Sequence, residues 1–125
     1  MLGKTHHIAI ISSDYQKSNE FYVEKLGFSV IREVYRPEQG DWLRMLQQGD
    51  VCLELFVKPE APQRVTGPEA LGLRHLDFHV EDAEAAVRWL NSLGIETEPI
   101  RQDSVNGGNF TFFRDPDGLP LEIHE

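Results

Sequence analysis

Two histidines and two glutamates recur at matching positions in the two halves of this 125-residue chain. His75 follows His7 by 68 residues, and Glu122 follows Glu54 by the same 68 (75 minus 7 and 122 minus 54). Imidazole nitrogens and carboxylate oxygens together suit first-row divalent metals such as Ni, Co, Zn, Mn or Fe. Four solvated residues at the rim of a sheet are the alternative, since any one His or Glu is most often found there. The matched spacing favours a single metal site with these four ligands.

Such a site also balances charge and leaves room for chemistry. Two glutamates supply two negative charges, which a divalent cation neutralises, whereas two unpaired carboxylates on a sheet surface would be costly. Four protein ligands leave two positions open on an octahedral metal, enough for waters or for a chelating substrate.

The elements that must carry these residues repeat as well. Asp14 and Asp82 are again 68 residues apart, and each can cap the helix that follows it. In the first half the pattern predicts a strand over 5–11, a helix over 14–26, and strands over 28–35, 42–47 and 51–57. In the second half it predicts a strand over 73–80, a helix over 83–93, and strands near 96–101, 109–114 and 119–124.

The predicted fold class is therefore α+β, with two tandem βαβββ modules forming a curved mixed sheet. The modules cover about 5–58 and 73–125 within one domain spanning 1–125. Prolines and glycines between them predict a linker over about 59–72.

Strand alternation predicts which side chains share a face. The faces of the first and fifth predicted strands that carry His7 and His75 are more polar than the opposite faces, which are apolar and suit a helix-covered core. Glu54 and Glu122 lie at equivalent positions in the last strand of each half. His6 should point away from His7, in a structural or exposed position.

Composition limits the partners. The formal charge of −9, without any basic stripe, excludes nucleic acid as an expected partner. No apolar run approaches the ~20 residues needed to span a bilayer, and residues 1–5 contain no apolar leader segment. Cys52 is the one cysteine, which suits a reducing compartment. We expect a soluble, cytoplasmic protein that acts on a small molecule.

Several short motifs in this order resemble the vicinal-oxygen-chelate superfamily. They are His7-Ile8-Ala9-Ile10, Phe21-Tyr22, Leu26-Gly27-Phe28, Leu53-Glu54-Leu55, Arg74-His75-Leu76, and Asp115-Pro116-Asp117-Gly118 leading into Leu121-Glu122. Within the superfamily the chain is similar to the glyoxalase I-like (lactoylglutathione lyase-like) branch and its small bacterial proteins of the YaeR type. The resemblance implies paired βαβββ modules that curl around a metal. It also implies a homodimer, since many members form one.

The implied chemistry is metal-assisted proton transfer next to a carbonyl group. In glyoxalase I the metal meets the vicinal oxygens of the hemithioacetal of methylglyoxal and glutathione, and a ligating glutamate moves the proton. Carried onto this chain, the catalytic proton shuttle is Glu122, with Glu54 as its counterpart. His7 and His75 would be ligands only.

The chain departs from the glyoxalase I pattern where that enzyme holds glutathione. Ile11 stands where family enzymes place an Arg, Lys58 where they carry an Asn, and Asn106 where a Lys is common. The sequence therefore does not identify the substrate. An epimerase, a thiol transferase or a dioxygenase of the same superfamily is an alternative, and so is a metal-free binding or resistance module. Transferases and dioxygenases usually use two His and one Glu, which would leave Glu54 surplus.

Overall fold

The chain, described over residues 1–125 by a computed structural model, divides into two compact units, Met1–Gln63 and Arg64–Glu125. The first unit contains β1 (Ile8–Ser12), α1 (Tyr15–Ser18), a π-helical segment (Asn19–Lys25), β2 (Ser29–Arg36), β3 (Asp41–Gln48) and β4 (Val51–Val57). The second contains β5 (Leu76–His79), α2 (Ala83–Ser92), β6 (Arg101–Gln102), β7 (Asn109–Arg114) and β8 (Pro120–His124). The predicted βαβββ order is confirmed in both halves.

Each unit builds one four-stranded mixed sheet, and the two sheets have the same topology. The strand orders are β1-β4-β3-β2 and β5-β8-β7-β6. The first and last strands of each unit run parallel, and the remaining pairs are antiparallel. β4 and β8 carry the two glutamates. In each sheet this strand lies next to β1 or β5, the strand that begins directly after a predicted histidine ligand.

Strand register in the first unit holds Glu54 on the open face of its sheet. Ala9 pairs with Glu54, and Ile10 pairs with Leu55. Ile10 and Leu55 are buried, whereas Ala9 is exposed. A slip of one residue would exchange the two faces and bury the carboxylate among aliphatic side chains. Burial of the apolar face therefore fixes the direction in which Glu54 points.

The second sheet repeats this division between its faces. Glu122 pairs with Asp77 of β5 on one side and with Phe112 of β7 on the other. The neighbouring residues Leu121 and Ile123 belong to the core. Glu122 is thus held by both flanking strands, and its side chain lies on the face opposite that core.

Both helices begin where the aspartates predict. The Asp14 carboxylate accepts from the Lys17 amide at 2.8 Å, and that of Asp82 accepts from the Ala85 amide at 2.9 Å. These bonds satisfy amides that have no partner inside the helix. Neither helix has the length and apolar character needed to cross a membrane.

The first helix differs from the single α-helix predicted over 14–26. After Ser18 its turns widen, and the Leu26 amide donates to the Phe21 carbonyl five residues back at 2.9 Å. The neighbouring aromatic residues Phe21 and Tyr22 are both buried. Adjacent side chains on a regular α-helix are about 100° apart. The prediction over 14–26 assumed this spacing throughout, so it did not reveal the wider turns after Ser18.

Three strands, β1, β5 and β6, are shorter than predicted. β1 begins at Ile8 and β5 at Leu76, so His7 and His75 both lie immediately before a strand. The strand expected near 96–101 is reduced to Arg101–Gln102. Pro99 has no amide to donate to a sheet, which accounts for the late start.

Candidate metal centre

The first pair of predicted ligands lies at the edge of the first sheet. His7 Nε2 is 3.7 Å from Glu54 Oε2. Their side chains retain 35% and 15% of their exposure, so both can be reached from solvent while the carboxylate is largely enclosed. This arrangement leaves a nitrogen and an oxygen facing one another without a close hydrogen bond.

His6 contacts His7, contrary to the expectation that it points away. The two Nδ1 atoms are 2.8 Å apart, and the rings meet edge to face with centroids 5.1 Å apart. Both residues precede β1, so strand alternation does not apply to them. When His7 donates from Nδ1, its Nε2 keeps the lone pair that a metal ligand needs. His6 can therefore orient His7, a role that sequence reasoning missed.

The second pair is closer and more enclosed. His75 Nε2 is 2.8 Å from Glu122 Oε2, and the two side chains are 24% and 11% exposed. The His75 ring also packs edge to face on Phe112, with centroids 5.1 Å apart. Contact with the aromatic ring and with the carboxylate fixes the imidazole in one orientation.

The donor atoms within each pair have a separation that suits a shared metal ion. Bonds of about 2.1 Å place neighbouring donors about 3.0 Å apart at an octahedral metal and about 3.4 Å apart at a tetrahedral one. The observed separations of 2.8 and 3.7 Å lie around these values. The side chains of His, Cys, Asp and Glu do not form a group of three or more around a common metal position in this structure. The four predicted ligands are found as two pairs, His7 with Glu54 and His75 with Glu122, one in each unit.

A cavity of about 560 Å³ opens beside the second pair. His75 and Glu122 contribute to its wall, and Phe110 and Phe112 form part of its floor on the same sheet face. A volume of this size is typical of small-molecule sites. The cavity lies entirely within the second unit, because all its lining residues belong to 64–125.

Four arginines also line this cavity: Arg64, Arg74, Arg101 and Arg114. The sequence signal for one of them, Arg114, is period-two alternation. Arg114 lies two and four residues after Phe112 and Phe110, so it shares their face, and Arg101 pairs with Phe110. The position of Arg101 follows only from the register of β6, which the sequence does not show.

A family model for the "Glyoxalase/Bleomycin resistance protein/Dioxygenase superfamily" matches residues 4–123. The chain belongs to this superfamily. The match covers both βαβββ units and all four predicted ligands, so the family resemblance inferred from the short motifs is confirmed.

Similar proteins of the superfamily match over their full length. YwkD of Bacillus subtilis is 56% identical over all of this chain and 98% of its own, and YaeR of Escherichia coli is 49% identical over 100% and 99%. The crystal structure of a glyoxalase family protein from Enterococcus faecalis has a TM-score of 0.95 and 54% identity, covering 98% of this chain and 97% of its own. The predicted fold class is confirmed, and neither YwkD nor YaeR has a name that specifies an activity.

Superfamily relatives with named activities are more distant. A 2-epi-5-epi-valiolone epimerase of Actinomyces is 28% identical over 94% of this chain and 76% of its own. Glyoxylase I 4 of Arabidopsis thaliana is 30% identical over 98% and 70%, and the glutathione transferase FosA of Serratia marcescens is 34% identical over 99% and 82%. These names span three kinds of reaction, so superfamily membership alone does not select one.

Proposed function

We propose that the two His–Glu pairs bind one divalent metal ion and that the chain is a glyoxalase I-like isomerase or lyase. The ligands of this proposal are His7, Glu54, His75 and Glu122. Their nitrogen and oxygen donors suit Ni, Co, Zn, Mn or Fe, and the spacing within each pair agrees with shared coordination. When bound, the ion would act as a Lewis acid that draws electron density from a carbonyl oxygen of the substrate.

The catalytic proposal rests on the position of Glu122. Its carboxylate is largely buried, lies 2.8 Å from His75 Nε2 and borders the cavity. A base in this position can reach a substrate held in the cavity while bulk water is largely excluded. We assign to Glu122 the removal of a proton from the carbon next to the carbonyl group and its return to the substrate. His75 and His7 would be ligands only, and Glu54 is the counterpart of Glu122 beside His7.

Glutathione is not the thiol that this site favours. Lys58 donates from Nζ to Asp41 Oδ2 at 2.6 Å, and Asn106 Oδ1 accepts from the Gly108 amide at 3.0 Å. By family resemblance, the side chains at three positions would bind glutathione. Two of these side chains, Lys58 and Asn106, instead form local hydrogen bonds, and the third, Ile11, is apolar. The first of these contacts is strong, since the Arg36 guanidinium and the Lys58 ammonium lower the pKa of Asp41 to about 2.

An epimerase is the second candidate. It requires the same removal and return of a proton beside a carbonyl group, and an epimerase is among the relatives of this chain. The loss of the glutathione-binding positions favours this reading over a glutathione-dependent glyoxalase. Both candidates use Glu122 in the same role, and only the substrate differs.

We extend the proposal to a homodimer that acts on small molecules in the cytoplasm. A row of apolar residues crosses the open face of the first sheet through the pairs Val34–Leu43 and Phe56–Ile11. Ile11 is 56% exposed and Val34 38% exposed. Exposed apolar rows of this kind support contact with a second protein surface.

Solvent deuterium incorporation tests the catalytic proposal. The metal-loaded protein is incubated in D₂O with methylglyoxal and a panel of thiols, and in parallel with 2-substituted 3-oxo acids, and the products are followed by NMR. We expect deuterium at the carbon beside the carbonyl with the wild type and with His79→Ala, an exposed residue paired only with Glu81. Glu122→Gln should lower the exchange rate at least about 100-fold. Equal exchange in Glu122→Gln would rule out its role as the proton shuttle.

A further inference from the structure

The cavity beside His75 and Glu122 has an unusual charge for this protein. The chain carries a formal charge of −9 and only 12 Lys and Arg residues, yet four of those 12 line this one cavity. Three glutamates, including Glu122, are also present in its wall. Basic residues are therefore concentrated at one place in an otherwise acidic chain, next to the proposed catalytic carboxylate.

The four arginines differ in how fully they are paired. Arg74 forms a close ion pair with Glu69, with Nε 2.7 Å from Oε1. Arg64 donates from Nη2 to two backbone carbonyls, each at 3.0 Å, and its charge acts only at longer range on Glu69, the carboxylate that Arg74 contacts directly. Arg64 therefore has no close ion pair of its own at the cavity wall.

Arg101 and Arg114 share one carboxylate between them. Their Nη2 atoms lie 3.5 and 3.9 Å from the two oxygens of Glu98. Charge-assisted hydrogen bonds in proteins are usually about 2.7–2.9 Å long, so both contacts are loose. Two guanidinium groups with one distant carboxylate leave an excess positive charge that a ligand can meet.

The aromatic floor places the Arg101 guanidinium over the cavity. Its central carbon lies 5.0 Å from the Phe110 ring centroid and 5.6 Å from that of Phe112. Phe112 also contacts His75 and pairs with Glu122 across the strands. One apolar surface therefore connects the arginines to the proposed proton shuttle.

We infer that this cavity binds an oxyanionic group, a carboxylate or a phosphate, at the end of the substrate remote from the reacting carbon. The planar guanidinium fork matches both groups in geometry and charge. The phenyl rings favour an organic molecule with an apolar portion over a bare inorganic ion. The inference rests on the proposed function only for the position of the reacting carbon at Glu122, because the anion itself is held by Arg64, Arg101 and Arg114.

Binding of simple aromatic probes to metal-stripped protein tests this inference without any turnover. Phenyl phosphate and phenylacetate represent the two oxyanions, and benzyl alcohol is the neutral control. NMR titration should show saturable shifts of the arginine Nε–H signals with at least one oxyanion and none with benzyl alcohol. The oxyanion that binds more tightly identifies the group on the substrate.

Arginine substitutions then locate the site. Arg101→Gln and Arg114→Gln should each weaken binding of the preferred probe about tenfold. Arg88→Gln is the matched control, since Arg88 is an exposed arginine on α2 that does not line the cavity. Absence of oxyanion binding, or equal affinity in Arg101→Gln and the wild type with circular dichroism unchanged, would overturn the inference. Glu122→Gln should still bind the probe, so failure of the catalytic proposal is distinguishable from failure of this one.

Discussion

Replacing Asp115 with alanine removes the carboxylate that forms the turn before β8, the strand that carries Glu122. Asp115 is buried, and its Oδ1 accepts from the amides of Asp117 and Leu119, both at 2.9 Å. Hydrogen bonds to a charged group contribute about 1.5–3 kcal/mol each, but a backbone bond from Gly118 to the Asp115 carbonyl remains in place. We therefore expect Asp115→Ala to lower the free energy of unfolding by about 2–4 kcal/mol.

Asp115→Asn separates the charge from the geometry. The side-chain oxygen of asparagine can still accept from both amides, and neutral hydrogen bonds are about half as strong as charge-assisted ones. This variant should therefore lose about 1–2 kcal/mol, about half the cost of alanine. Asp50→Ala is the matched control, because Asp50 lies in the equivalent hairpin turn of the first unit and is exposed. It should change stability by less than about 0.5 kcal/mol.

Urea unfolding followed by circular dichroism measures all three variants at pH 7, with the m-value compared to exclude changes in the unfolded state. We expect the free energy of unfolding to be highest for the wild type and Asp50→Ala, lower for Asp115→Asn and lowest for Asp115→Ala. Equal stabilities for the two Asp115 variants would mean that the charge contributes nothing. A stable Asp115→Ala would mean that β8 keeps its register without the turn.

Three further predictions concern stability and assembly. Asp41→Asn should destabilise the protein at pH 7. Because the pKa of Asp41 is lowered in the folded state, its contribution is present above pH 3.8 and is lost toward about pH 2, so the two proteins should converge in acid unfolding curves. Gly108→Ala should cost about 1–3 kcal/mol in urea unfolding, since a Cβ there would lie 2.9 Å from the Glu125 carbonyl oxygen, whereas Gly3→Ala has open space and should be neutral. Sedimentation equilibrium should give twice the chain mass of 14.3 kDa, and a single-chain mass would remove the proposed homodimer.

The repeat made most of the fold predictable from the sequence. Apolar alternation fixes which face of each strand is buried, and the 68-residue offset transfers each assignment to the other half. The bounds of β4 and β7 agree with the predicted ranges 51–57 and 109–114. Asp14 and Asp82 were identified as helix caps because a short acidic side chain before an amphipathic run has few other local roles.

The features that the sequence did not predict depend on local chain geometry. His6 contacts His7 because both precede β1, where alternation has no meaning. The π-helical turns at Asn19–Lys25 depend on how neighbouring aromatic rings pack, which periodicity does not encode. Arg101 became part of a site only once its pairing with Phe110 was known, because a two-residue strand carries no pattern of its own.

Measuring the metal content of the purified protein tests directly whether His7, Glu54, His75 and Glu122 bind a metal ion. The untagged protein, its His75→Ala variant and the control His79→Ala are purified in parallel, incubated with Ni, Co, Zn, Mn or Fe, desalted and measured by elemental analysis. We expect near one metal ion per chain in the wild type and in His79→Ala, and its loss in His75→Ala. No bound metal in the wild type with any of these ions, or full metal content in His75→Ala, would contradict the proposed four-ligand site, and the first result would favour a metal-free binding module.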